Sequence, residues 1–175
     1  MPVKRNKAGK LQNYDPSTGR YSRMSIEEKQ KYLLKSFMAR EAIVEDKRDR
    51  RRRYLAQQAR SSKDPKINVV YEALESAVPY CVQAVNQHVF DKNLNRYREM
   101  DIITRHTIVE VKTGSAQKKS KQLLGQKQYA KEHNKAHIVF APDISKATKR
   151  EYNRMGLNIT TSLQELVNMF RRYER

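Results

Sequence analysis

The chain of 175 residues holds one cysteine, no tryptophan, five glycines and five prolines. A lone thiol, Cys81, excludes an intrachain disulfide and a cysteine-based zinc site. It is expected as a small buried apolar residue of a reducing compartment. The four histidines, His88, His106, His133 and His137, lack zinc-protease spacing, and His133-Asn134 lacks the context of a His-Asn-His nuclease. No Gly-rich phosphate loop is present. No apolar run approaches a membrane span, and the basic N-terminus lacks the apolar core of a signal peptide, so no membrane partner and no secretory route are expected. The sequon Asn158-Ile159-Thr160 is therefore read as chance.

Acidic residues are scarce as well. Nineteen Asp and Glu face 37 Lys and Arg, a net charge of +18. That excess implies a polyanionic partner, either nucleic acid or an anionic membrane; a merely soluble basic protein, or one built into a ribosome or capsid, is the bland alternative. Hydrophobic residues make up 38% of the chain, low for one globule of this length, so part of it is expected outside the core.

Residues 1–24 mix Pro and Gly with Lys, Arg, Asn and Ser and are expected as a flexible basic arm, with Tyr14 to Tyr21 as a turn segment. Ser25 and Glu28 form a capping-box pattern that opens a helix over about 26–60, with a thin apolar stripe. Its run Lys47 to Arg53, which ends in Arg50, Arg51, Arg52 and Arg53, reads either as a phosphate-tracking face or as a solvated charge run. Ser61 to Pro65 reads as a boundary, separating a basic helical extension (25–64) from a main domain (65–175). There the patterning predicts a helix at 66–77, strands at 80–90, 97–103 and 107–113, a helix at 118–134, a strand at 137–141, a variable segment, and a helix at 161–173. Gly114 closes the third strand. The order implies an α/β fold with a mixed sheet flanked by helices.

The chemistry concentrates in two neighbouring strands. Side chains alternate along a strand, so Ile108, Glu110 and Lys112 share one face. A turn at Arg105-His106 sets Asp101 opposite Glu110, about 4.5–5.5 Å apart at Cβ. Two carboxylates that close repel unless a cation sits between them, and Mg²⁺ suits such an oxygen pair. Lys112 points at the same place and is suited to orient a water or offset charge on a phosphate. The bland alternative is an edge hairpin with a solvated polar face. Arg105-His106 lacks the Asn-Gly chemistry that favours two-residue turns, so the register is the weak link.

With Val109-Glu110-Val111-Lys112-Thr113-Gly114, then Gln122 to Ala130, then His137 to Ala141, the chain resembles the PD-(D/E)XK nuclease superfamily over roughly residues 66–160. Within it the closest likeness is to small nuclease domains of polymorphic toxins and phage-associated proteins. The resemblance implies a restriction-endonuclease-like αβββαβ core and Mg²⁺- or Mn²⁺-dependent hydrolysis of phosphodiesters, with DNA the favoured substrate. Asp101 and Glu110 become metal carboxylates and Lys112 the catalytic lysine. A third acidic residue is expected from the first core helix, Glu72 first and Glu75 in reserve. Gln122, Gln126 and Tyr129, at i, i+4 and i+7, become substrate-binding or site-ordering residues, or an ordinary polar helix face. Met100 stands where the motif proline is usual. The likeness also implies a cytoplasmic protein, one delivered to a target-cell cytoplasm or one associated with a virion, with an acidic immunity protein or a virion component as partner. A non-catalytic nucleic-acid binder using the charge run, the arm and Lys118, Lys119 and Lys121 is the rival reading.

Overall fold

A computed structural model describes residues 2–5, 9–18, 20–92, 95–113 and 120–174; Gly114, Lys118 and Lys119 lie outside them. The chain divides into two units, Met1–Asp49 and Arg50–Arg175.

In the first unit the expected flexible arm is instead a small antiparallel sheet of β1 (Val3–Arg5), β2 (Leu11–Asp15) and β3 (Arg20–Arg23). The cause is local. The Asp15 carboxylate accepts from the Ser17 amide at 2.9 Å, the Ser17 hydroxyl at 2.6 Å and the Thr18 hydroxyl at 2.8 Å, which closes the turn and pairs Tyr14 with Tyr21. The Lys4 ammonium lies 3.9 Å from the Tyr14 ring centroid, so this ring carries a cation–π contact within the sheet.

The helix α1 (Ile26–Arg60) starts as its sequence dictates: the Glu28 amide donates to Ser25 Oγ at 3.1 Å and the Ser25 amide to Glu28 Oε2 at 2.8 Å. The division between units falls inside this helix, not at Ser61 to Pro65. Leu55 and Ala59, 5% and 1% exposed, are the reason: both pack into the core of the second unit.

That unit continues with α2 (Pro65–Ala77), whose first turn is fixed by Pro65 and by Asp64 capping the Lys66 amide at 2.9 Å. Then come β4 (Val82–Asp91), β5 (Arg96–Thr104), β6 (Thr107–Val111), α3 (Ser120–Glu132), β7 (Ala136–Phe140), α4 (Lys146–Arg154), β8 (Asn158–Thr160) and α5 (Leu163–Tyr173). The five strands form one sheet in sequence order, antiparallel from β4 to β6 and parallel from β6 to β8. This is the expected mixed α/β arrangement. Leu74 of α2 and Leu166 and Phe170 of α5 pack with Val85, Ile102, Val109 and Ile138. Leu123 and Ala130 of α3 and Tyr152 of α4 pack with the alternate residues Ile103, Ile108, Val139 and Ile159. Both sheet faces are thus covered by helices, and burial of these side chains at about 1.5–3 kcal/mol each holds the layers together.

The pair α4 and β8 replaces the expected variable segment. Only Thr148 and Tyr152 of α4 are buried, and β8 has three residues, too little pattern in either to read. Thr160, the sequon threonine, is fully buried.

Candidate active site

The two-residue turn at Arg105-His106 forms, although its local chemistry is poor. Neither residue adopts the positive φ of a favoured hairpin turn. The turn is clamped from elsewhere. A carboxylate oxygen of Glu174 accepts from the hydroxyl of Thr104, from the His106 amide at 2.9 Å and from the Thr107 hydroxyl at 2.8 Å. From the other side Lys135 Nζ donates to the carbonyls of Thr104 at 2.5 Å and Arg105 at 2.7 Å. Tertiary contacts therefore set the register: Ile102 pairs with Val109 and Ile103 with Ile108. One further step along the ladder brings Asp101 level with Glu110.

Both carboxylates are out of water, Asp101 at 9% exposure and Glu110 at 1%. Asp101 Oδ2 accepts the Val111 amide at 2.7 Å. Each oxygen of Glu110 is taken: Lys112 Nζ pairs with Oε1, and Gln126 Nε2 donates to Oε2 at 2.7 Å. The same Gln126 nitrogen reaches the Glu99 carbonyl at 3.1 Å, and its Oε1 is buried without a hydrogen-bond partner among the described residues. Burial first, and then the negative charge of Glu110, push the Asp101 carboxyl up to about 7; the Val111 amide and the Lys112 ammonium only partly offset this. Near neutrality Asp101 is therefore poised between its neutral and ionised forms, unlike an ordinary carboxyl.

Asp101, Glu110, Lys112 and Gln126 are therefore brought together as expected. The third acidic residue is not. Glu72 is exposed on α2 and accepts from the Asn68 side chain at 3.1 Å. Glu75 is buried, but its oxygens serve the amides of Tyr80 at 3.1 Å and Val82 at 3.0 Å, with Arg52 at 3.6 Å. Among the described residues no group of three or more His, Cys, Asp or Glu side chains converges, so neither glutamate joins the pair. Position along α2 explains this: residue 75 faces the core beside Leu74, and residue 72 faces solvent.

Of the expected helix face, Gln122 contributes a backbone carbonyl to Arg98 at 3.4 Å, and the Tyr129 ring stacks on His133 at 4.0 Å between centroids. Among the described residues only Gln126 of the three bonds to the carboxylates. The arginine run also has structural duties. Arg51 donates to the Gln83 carbonyl at 2.9 Å, and Arg52 lies near Glu75 and 5.8 Å from the Tyr80 ring centroid. Arg50 and Arg53 are exposed and are not without partners. Lys121 is exposed.

Three supporting residues escaped the sequence reading. Arg98 and Asp91 form an ion pair at 2.5 Å, each side chain 6% exposed. The Arg98 guanidinium passes over Gly125, where a Cβ would stand 2.6 Å from Cζ. Glycine is needed there for room, so α3 can seat and present Gln126. Asp91 and Arg98 lie on different strands, Asp91 facing Arg96 and Arg98 facing Val89 in the ladder, so no short motif marks them. His137 is a further surprise: it is 4% exposed, and among the described residues neither ring nitrogen has a hydrogen-bond partner. Burial, then the charges of Lys127 and Lys112, lower its pKa to about 4 and keep it neutral. Cys81 is buried as expected, its thiol pushed up to about 12 by burial and by Glu75.

Beyond Lys112, Thr113 donates to Asp64 at 2.9 Å at the edge of an open cleft of about 550 Å³, lined by Lys63, Asp64, Pro65, Lys66 and Thr113. Lys66 also pairs with Asp143. The arrangement sets two carboxylates and one ammonium together, a group able to hold a hard cation with a positive charge beside it. Comparison with known proteins finds no matching family model, no matching curated protein and no matching solved structure.

Proposed function

We propose that the chain is a metal-dependent nuclease of the PD-(D/E)XK kind, hydrolysing phosphodiester bonds of nucleic acid, with DNA the favoured substrate. The observation that carries this reading is the buried cluster of Asp101, Glu110 and Lys112 on adjacent strands. The element order α2, β4, β5, β6, α3, β7 supports a restriction-endonuclease-like core.

The donor set fits Mg²⁺ or Mn²⁺: two neighbouring carboxylates, with Gln126 beside them, whose buried amide oxygen has no hydrogen-bond partner among the described residues. When bound, such an ion would lower the pKa of a coordinated water and offset charge on the scissile phosphate. The chain's own groups have distinct tasks. Asp101 and Glu110 would hold the ion through their carboxylates. Lys112, which pairs with Glu110, would supply an ammonium to offset negative charge on the phosphate and to orient the attacking water. Gln126 keeps Glu110 in place. Lys63 and Lys66 offer contacts for the flanking backbone, with the exposed arginines of α1 as secondary contacts.

The test is incubation of circular plasmid and total RNA with the protein, with and without Mg²⁺. Cleavage is expected only with the metal, and Asp101→Ala, Glu110→Ala and Lys112→Ala should each abolish it. Full activity in EDTA or in Glu110→Ala overturns the assignment. A readout independent of cleavage is the thermal midpoint, which Mg²⁺ should raise for the wild type and not for Glu110→Ala. One observation favours a second reading, a non-catalytic nucleic-acid binder: neither Glu72 nor Glu75 joins the pair. It predicts salt-sensitive, magnesium-independent binding without cleavage. Growth arrest on expression, relieved by Lys112→Ala, would favour a toxin held in check by an acidic immunity protein over a virion component.

A further inference from the structure

Glu110 is buried, and among the described residues each of its oxygens meets one side-chain donor: Gln126 Nε2 at 2.7 Å on Oε2 and the Lys112 ammonium on Oε1. Only the ammonium carries charge. A buried carboxylate without a counter-charge is strongly destabilising, so something must balance Glu110 whenever no metal is bound. Neighbouring cations are engaged elsewhere. Arg98, which also packs against α3, pairs with Asp91, and Lys127 of α3 donates to the Gly156 carbonyl at 2.7 Å. Among the described residues, Lys112 is thus the single cation paired with Glu110.

The backbone under this lysine is fixed. Lys112 lies just past the end of β6, and its amide donates to the Phe140 carbonyl at 2.8 Å. Any change of partner therefore falls to the side chain, whose neighbour Thr113 is already exposed. The ammonium sits on the same carboxylate that a divalent ion would need, and like charges brought together on one carboxylate repel. We infer that Lys112 is the stand-in cation of the metal-free site, an inference that rests on the metal-dependent reading above. Its ammonium balances Glu110 in the absence of an ion and competes with the ion for that carboxylate. A neutral side chain at 112 should therefore weaken the metal-free fold and tighten the metal site.

The experiment titrates Mn²⁺ into the full chain, freed of nucleic acid, with free Mn²⁺ read by electron paramagnetic resonance. Lys112→Met and Lys112→Gln should bind at least about ten-fold more tightly than the wild type. Lys112→Arg, which keeps the charge, should bind as the wild type does, and Glu110→Gln should lose the site. In EDTA the thermal midpoints of both neutral variants should lie below that of the wild type, and saturating Mn²⁺ should raise them by more. A purely structural lysine would lower the midpoint without tightening the site. Neutral variants that bind Mn²⁺ no more tightly than the wild type overturn this inference and leave the nuclease reading standing. Should neither the wild type nor the variants at 112 bind Mn²⁺ at a site that Glu110→Gln removes, the metal-dependent reading fails and takes this inference with it. If the neutral variants are unfolded in EDTA, Mn²⁺ should restore a cooperative unfolding transition; no restoration overturns the inference.

Discussion

Removing the Asp91 carboxylate while leaving Arg98 in place is the most direct probe of how the site is supported. The pair is 2.5 Å apart, with each side chain 6% exposed. An exposed ion pair contributes at most about 1 kcal/mol. A buried one, broken on one side, costs about 3–5 kcal/mol, because the remaining charge stays desolvated. In Asp91→Ala, the described partner left to the Arg98 guanidinium is the Gln122 carbonyl at 3.4 Å. The upper range therefore applies, against a stability of about 5–15 kcal/mol for a typical domain. Replacing both residues, Asp91→Leu with Arg98→Met, removes the stranded charge and should recover most of the loss. The assay is equilibrium urea unfolding of the wild type, both single variants and the double variant, with amide exchange in α3 as a local readout. An Asp91→Ala cost under about 1 kcal/mol, or a double variant no better than the single, would refute the reasoning.

Gly125→Ala should destabilise by about 1–2 kcal/mol, since overpacking against the Arg98 guanidinium exceeds the helix-propensity gain; in an Arg98→Met background the same change should stabilise by up to about 1 kcal/mol, both read from urea midpoints. Asp101 holds its proton up to about 7 when folded and only to 3.8 as the reference carboxyl. Between those values the unfolded chain ionises while the native chain does not, so this group's contribution to stability falls as pH rises and levels off above the folded value. Asp101→Asn should flatten that descent, and urea unfolding on either side of neutrality that gives parallel curves for the two proteins would sink the claim. Glu174→Ala removes the shared charged acceptor of the Thr104 and Thr107 hydroxyls and of the His106 amide, leaving the two buried hydroxyls each other and the Thr107 carbonyl, and should cost about 1–3 kcal/mol, with faster amide exchange in β5 and β6.

The site was legible where alternation governs. Glu110 and Lys112 share a strand face by parity, and the Asp101 register followed from assuming the shortest turn. What secures that turn was not legible, because Glu174 and Lys135 lie far along the chain and neither forms a motif with residues 104–107. The Glu72 expectation failed for a related reason: helical periodicity marked an apolar side of α2, and residue 75 lies within it as a buried acid satisfied by backbone amides. The N-terminal sheet was missed because its strands are short and polar, held by a side-chain turn at Asp15 and not by an apolar face. The unit boundary was misplaced because Leu55 and Ala59 look like a thin stripe until the core they enter is known. The charge run looked uniform, and only contacts distinguish Arg51 and Arg52 as braces.

The Glu174 clamp also bears on synthesis. The hairpin carrying both carboxylates emerges from the ribosome well before the residue that grips its turn, 70 positions later. Until α5 has been made, the nascent chain has no such latch, and strand slippage by one residue would turn Glu110 and Lys112 to the opposite side of the sheet. Of the two clamps on this turn, the one from Lys135 can form earlier in synthesis, and the one from Glu174 only after α5 has been made.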